Sequence, residues 1–186
     1  MRQAAEGNPD VLISLYADAG CVGTMRGRAA LGSTTPVITT AICASDEVIN
    51  EVGDDALGWY FIGVGSERSD TAEAADLNAL LDPLGVDNTS QLGLGALGIN
   101  GLLTLATVAN TVANEGGEVT GASIYDRLAT STDLTNWPDG NPLTCGAAPA
   151  YPTICSFVFV IGTYLEGGGL ETVAGFEALD TAPYLP

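Results

Sequence analysis

Three short apolar runs near the start of the chain leave few folds open to it. Val11-Leu12-Ile13-Ser14-Leu15 is a continuous run of strand length, the pattern of a parallel strand buried on both faces. Tyr16-Ala17-Asp18-Ala19-Gly20 reads as the loop after it. A helix is predicted from about Cys21 to Leu31, ended by Gly32. Pro36-Val37-Ile38-Thr39-Thr40 is the second strand. A short helix, Ser45 to Val52, follows a second loop, with Ser45 as N-cap and Val48 and Val52 on one face. Gly58-Trp59-Tyr60-Phe61-Ile62-Gly63 is the third strand. Strand, helix, strand, helix, strand in that order is an α/β pattern with a mainly parallel sheet and right-handed crossovers.

The texture changes after residue 63. Val64 to Asp70 reads as a linker, and residues 71–82 as an acidic amphipathic helix ended by Pro83. Residues 98–114 form a long apolar helix, with Ile99, Leu102, Leu103, Ala106 and Val112/Ala113 at core spacing. Residues 120–130 form another, capped by Thr120, with Ile124, Leu128 and Ala129 inward. Residues 136–153 are rich in Pro and Gly and read as loop. Ser156 to Leu165 returns to strand character. Helices inserted between strands imply that the chain leaves one lobe and comes back.

Charge narrows the function. The chain holds 23 acidic residues, five arginines, no lysine and no histidine, for a net charge of −18. Such a surface repels phosphate backbones and anionic lipid, which argues against nucleic-acid or membrane-surface partners. The plainer reading of the charge is a soluble, self-repelling surface. The sharper one is a host living in high salt, where screening relieves the repulsion. Without histidine there is no Ser-His-Asp or Cys-His catalysis and no histidine metal site. No nucleophile–base pair stands out, so the expectation is a non-enzymatic protein with no cofactor.

Cysteines at 21, 43, 145 and 155 form no C-x-x-C pair and allow three pairings. Cys145 and Cys155 close a short loop that also holds Pro149 and Pro152, which favours that bridge and leaves Cys21 with Cys43. Two disulfides fit an exported protein, whereas four buried thiols would fit a cytoplasmic one. The polar N-terminus has no apolar signal-peptide core, so export requires a targeting segment outside this sequence.

Other motifs are weaker. Gly93-x-Gly95-x-x-Gly98 matches the dinucleotide fingerprint as a bare pattern, but a turn rather than a strand precedes it. Residues 93–113 carry no charge and are long enough to span a bilayer. Asn100, Asn110 and three threonines interrupt that stretch, and no basic flank orients it, so a core helix is the better reading. Asn88-Thr89-Ser90 fits a glycosylation pattern and reads as a turn. The acid pairs Asp54-Asp55 and Asp46-Glu47 lack a full ladder of metal ligands. The loops after the first two strands are better placed, because ligands in open α/β sheets collect at the carboxyl ends of strands. There Tyr16 can stack or donate its hydroxyl. Asp18 can touch a ligand or, as the plainer role, cap the next helix.

Several ordered strings resemble the second lobe of Leu/Ile/Val-type substrate-binding proteins, the type I periplasmic-binding family. They are Asn8 to Ile13, Tyr16 to Cys21, Arg28 to Val37, Cys43 to Glu47 and Gly58 to Phe61, and then Pro142 to Gly146 with Ala148 to Pro152 and Cys155. The likeness runs from about residue 8 to 170 and points to a cysteine-containing branch. It implies a non-catalytic solute-binding component of an ABC importer. Amino acids or similar small polar solutes would be held in an interlobe cleft, and the permease subunits would be its partners. It also implies a periplasmic or extracellular location, with any lipid anchor on a missing N-terminal segment. Residues 1–63 would belong to the second lobe, 64–149 would complete the first, and 150–186 would return to the second and form the tail. Members are roughly twice as long, so the chain would be the C-terminal half of one. The aromatic residue lining the cleft matches Tyr16 within one position. An acidic residue common after the next strand falls near Ala41, which cannot pair with an ammonium group. Thr40, Ser45 and Asp46 are the polar candidates beside it. A sensory ligand-binding domain on the same fold is the alternative reading.

Overall fold

The structure, a computed structural model, describes residues 1–63, 71–85, 94–132, 134–135, 137 and 140–185. In chain order its elements are α1 (Arg2–Ala5), β1 (Leu12–Ser14), α2 (Ala19–Ala30), β2 (Val37–Thr40), α3 (Asp46–Val52), β3 (Trp59–Ile62) and α4 (Ala72–Leu81). Then come α5 (Leu94–Asn114), α6 (Gly121–Thr130), β4 (Leu134–Thr135), β5 (Pro142–Leu143), β6 (Val158–Phe159), β7 (Ile161–Tyr164), β8 (Leu170–Thr172) and β9 (Leu179–Asp180). Two compact units emerge. One holds Met1–Glu67, Val86–Leu94 and Phe159–Leu179; the other holds Arg68–Gly85, Gly95–Val158 and Asp180–Pro186.

The first unit is built on a five-stranded sheet in the order β1-β2-β3-β7-β8. β1, β2 and β3 pair in parallel, as the apolar runs predict, but the first run is not buried on both faces: Val11, Ile13 and Leu15 are exposed. β7 is antiparallel to β3, and β8 is antiparallel to β7, so four of the five strands point one way. Strand alternation puts Leu12, Ser14, Val37, Thr39, Trp59, Phe61 and Tyr164 on one face, all buried. Against that face α2 places Cys21, Val22 and Met25, and α3 places Val48 and Val52. These helical positions recur at one-turn spacing, which gives each helix a single inward stripe.

Arg28 on α2 is buried and acts as a pin. Its Nε donates to the Thr35 carbonyl at 2.9 Å and its Nη1 to the Leu57 carbonyl at 2.7 Å. Burial lowers its pKa from the ordinary arginine value, in the direction desolvation requires. Gly58 allows this approach: a Cβ there would lie 2.7 Å from Nη2, and its φ of +75° already favours glycine.

In the second unit, α4 is capped by the Thr71 hydroxyl and buries Ala74, Leu77 and Leu81. α6 starts with a reciprocal cap between Thr120 and Ser123. A small core joins Val108 of α5 to Leu134 and Leu143, with Ile124 and Leu128 packed on it. β4 and β5 pair there; β5 lies inside the stretch 136–153 that composition reads as loop, and β4 lies just before it. Two helical faces differ from expectation. Leu102, Ala106, Ala113 and Ala129 are exposed, and among the described side chains of α5 Val108 and Val112 are the buried ones. α5 is apolar nearly all round, so spacing alone does not select its inward side. Gly95 and Gly98 lie within α5, which starts earlier than residue 98, while Gly93 and the Asn88-Thr89-Ser90 turn fall outside the described residues.

Candidate functional site

In the first unit the carboxyl ends of β1, β2 and β3 share one edge, and the loops after β1 and β2 flank it. The Cys21–Cys43 disulfide joins those loops, tying the first turn of α2 to the 3-10 turn Ala41–Ala44 after β2. The Tyr16 carbonyl oxygen lies 3.5 Å from each sulfur. Oxidised sulfur carries no proton, so these are packing contacts rather than hydrogen bonds. The Thr39 hydroxyl, 3.2 Å from the Cys43 sulfur, can donate to it. The backbone of the Tyr16 loop therefore rests on the bridge, while the Tyr16 side chain is 58% exposed at the edge.

That side chain also packs against Gly20. A Cβ at residue 20 would come within 2.9 Å of the Tyr16 Cβ. Spacing alone offers no signal for this role of Gly20.

Asp18 stands at the N-cap position of α2, but its side chain makes no capping hydrogen bond, so the plainer role expected of it is not realised. Its backbone has φ +46° and ψ −118°, and the Gly20 N–H closes a turn to the Ala17 carbonyl at 2.9 Å. That is the first central position of a type II′ turn, where glycine is the ordinary occupant. A side chain there stores strain of about 1–3 kcal/mol. The Asp18 carboxylate is exposed beside the opening of α2.

After β2 the candidates divide. The Thr40 hydroxyl oxygen is buried with no hydrogen-bond partner. Ala41 opens the 3-10 turn and lies 3.7 Å from where a Cβ of Gly63 would sit, so a larger residue would crowd the end of β3. The Ser45 hydroxyl accepts from the Val48 N–H at 3.4 Å and caps α3. Asp46, exposed in the first turn of α3, complements that helix's dipole. Ser45 and Asp46 thus have structural work in α3, whereas Tyr16, Asp18 and Thr40 stand at the edge without it.

The Cys145–Cys155 disulfide forms in the second unit, backed by a 2.7 Å hydrogen bond from the Thr144 N–H to the Cys155 carbonyl. The loop it closes lines a cavity of about 260 Å³, with Ala147 to Tyr151, Phe157, Ala182 and Leu185 as walls. That is below the range of about 300–1,000 Å³ usual for ligand pockets, and no charged side chain lines it. Among the described residues no helix is long and apolar enough to cross a membrane, and no group of three or more His, Cys, Asp or Glu could hold a metal ion.

No family model and no curated protein matches the chain. Solved structures do. A leucine-binding protein from Thermotoga maritima is similar over 99% of this chain, at 13% identity and a TM-score of 0.68. A branched-chain amino acid ABC transporter protein from Thermus thermophilus, with bound valine, is similar over 97%, at 12% identity and a TM-score of 0.69. This is the type I periplasmic-binding fold. A fatty acid ABC transporter substrate-binding protein from Thermomonospora curvata shares the periplasmic-binding fold over 97% of the chain, at 14% identity and a TM-score of 0.67. The chain spans about half the length of these structures, 48%, 48% and 46% respectively. It therefore carries about half of a type I periplasmic-binding fold.

Proposed function

We propose that this chain is part of the solute-binding component of an ABC-type importer, and that the edge bearing Tyr16, Asp18 and Thr40 is one wall of its solute site. The observation that carries the proposal is the Cys21–Cys43 bridge at the carboxyl edge of a parallel sheet. It fixes the two loops that the fold offers for ligand contact before any ligand arrives, which cuts the entropy lost on binding. The chain is read as a fragment of a longer, exported, non-catalytic protein that docks on permease subunits. Residues 1–63 belong to its second lobe, 64–149 to the completion of its first, and 150–186 to the return and tail, of which Phe159–Leu179 is the part that packs in the first unit. The solute is small and polar. Tyr16 supplies a ring face and a hydroxyl, and Asp18 is the carboxylate that can meet a cationic group, since Ala41 cannot.

A thermal-shift screen of the full-length protein against amino acids, small amides and carboxylates tests this. A solute at 100 times its Kd should raise stability by about 2.7 kcal/mol. Tyr16→Ala should weaken binding of that solute roughly tenfold, a loss of about 1.4 kcal/mol. No shift with any solute, or an adjoining signalling domain in place of an importer, would sink the reading.

A further inference from the structure

The two sulfurs of the Cys21–Cys43 bridge lie beside polar groups that the disulfide leaves unused. The Tyr16 carbonyl oxygen is 3.5 Å from each sulfur and accepts from no N–H or O–H among the described residues. The Thr39 hydroxyl, 3.2 Å from the Cys43 sulfur, makes no other hydrogen bond among them. Thr39 is 1% exposed, and both cysteines are fully buried. A disulfide sulfur is a weak acceptor with no proton to give, so it meets the hydroxyl poorly and the carbonyl not at all. The other bridge has no such setting. There the Thr153 carbonyl lies 3.8 Å from the sulfur of half-buried Cys155, and no hydroxyl of the described residues reaches either sulfur.

Two-electron reduction changes what these groups can do. A thiolate of a dithiol attacks the Cys43 sulfur and the S–S bond breaks. Cys21 leaves as a thiolate in the first turn of α2, where the positive end of the helix stabilises it, and takes up a proton. The second sulfur of the reductant then displaces Cys43, which is protonated in turn, and the reductant departs as its own disulfide. Two electrons and two protons have passed to the cysteines. Either new thiol can now donate to the Tyr16 carbonyl. Cys43 can do so while accepting from Thr39. Hydroxyl, thiol and carbonyl then form a hydrogen-bonded chain whose members polarise one another, and the oxidised bridge lacks it.

We infer that the Cys21–Cys43 bridge is a redox-sensitive latch on the carboxyl edge of the sheet, with a folded dithiol state for which Thr39 and the Tyr16 carbonyl are already in place. Two thiols keep the volume that the bridge fills in the core, which two serines do not. Both sulfurs are buried, so exchange with the reductant waits on local opening of the loop after β1. In the dithiol state the loops after β1 and β2 are no longer tied, and the Tyr16 carbonyl is drawn onto a thiol. The edge is then less preorganised and holds solute less tightly. Only that last consequence rests on the proposed function.

The test uses the full-length protein, equilibrated in mixtures of reduced and oxidised dithiothreitol and trapped by alkylation, with each bridge read separately by peptide mass. Cys145–Cys155 is the internal reference. Thr39→Val should move the Cys21–Cys43 equilibrium about fivefold toward the disulfide, about 20 mV for a two-electron couple, and leave the reference unmoved. Thr39→Ser keeps the hydroxyl and should restore the ordinary value. In the reduced protein the infrared S–H bands of Cys21 and Cys43 should lie below those of Cys145 and Cys155, since donation to a carbonyl weakens the S–H bond. The amides of β3 should stay protected from hydrogen exchange. An equilibrium that Thr39→Val leaves unmoved, S–H bands no lower than the reference, or a first unit that unfolds on reduction would each overturn the inference. If Thr39→Val does not fold, the bands and the exchange of the unaltered protein decide. A failed solute screen with a shifted equilibrium would remove the proposed function and leave the latch standing.

Discussion

Each unit carries one disulfide, and the two bridges sit in contrasting surroundings. Cys21 and Cys43 are fully buried in the core that also holds Met25 and Trp59, and they hold together two loops that belong to different crossovers. Cys145 and Cys155 are half-buried and close a loop of their own, ten residues apart in sequence. The first bridge is core packing and loop positioning at once. The second is a local clasp. One covalent bond type thus has two physical roles, set by what surrounds it.

Replacing Cys21 and Cys43 by serine should have the largest effect. It removes a crosslink contributing about 3 kcal/mol and leaves two hydroxyls in an apolar core, at about 1–3 kcal/mol each if unpartnered. Urea denaturation should find the first unit unfolded or close to it. The same change at Cys145 and Cys155 should cost roughly 2–3 kcal/mol, because only loop closure is lost. Equal losses at the two bridges would erase the contrast. The smallest effect is expected at the loop resting on the buried bridge. Asp18→Gly relieves the positive-φ strain but loosens the unfolded chain, for a net gain of at most about 1 kcal/mol. A loss of stability there would mean that the Asp18 side chain holds the turn.

Much of the first unit is legible in the sequence. Continuous apolar runs mark β1 to β3, and Ser45 and Thr120 mark helix starts where hydroxyls do cap. The short loop between Cys145 and Cys155 points to the observed pairing. Other features depend on contacts distant in sequence. β7 lies beside β3, and the Thr163 hydroxyl donates to the Trp59 carbonyl across 104 positions, a pairing no local pattern encodes. At the candidate site, strand order is enough to place Tyr16 and Asp18 on the loop after β1. The positive φ of Asp18 is not legible, because its residue type favours a cap and the surrounding turn dictates otherwise. Nor is the inward face of α5, because a helix apolar on every side takes its orientation from its neighbours.

Arg28 reaches carbonyls at residues 35 and 57, which precede β2 and β3. A docked α2 without both strand entrances buries a cation with too few acceptors. The guanidinium therefore makes the helix and the two strand entrances conditional on one another. Its consequence is cooperativity: the three lock in a single step, and intermediates with one strand out of register are penalised by a side chain that belongs to neither strand.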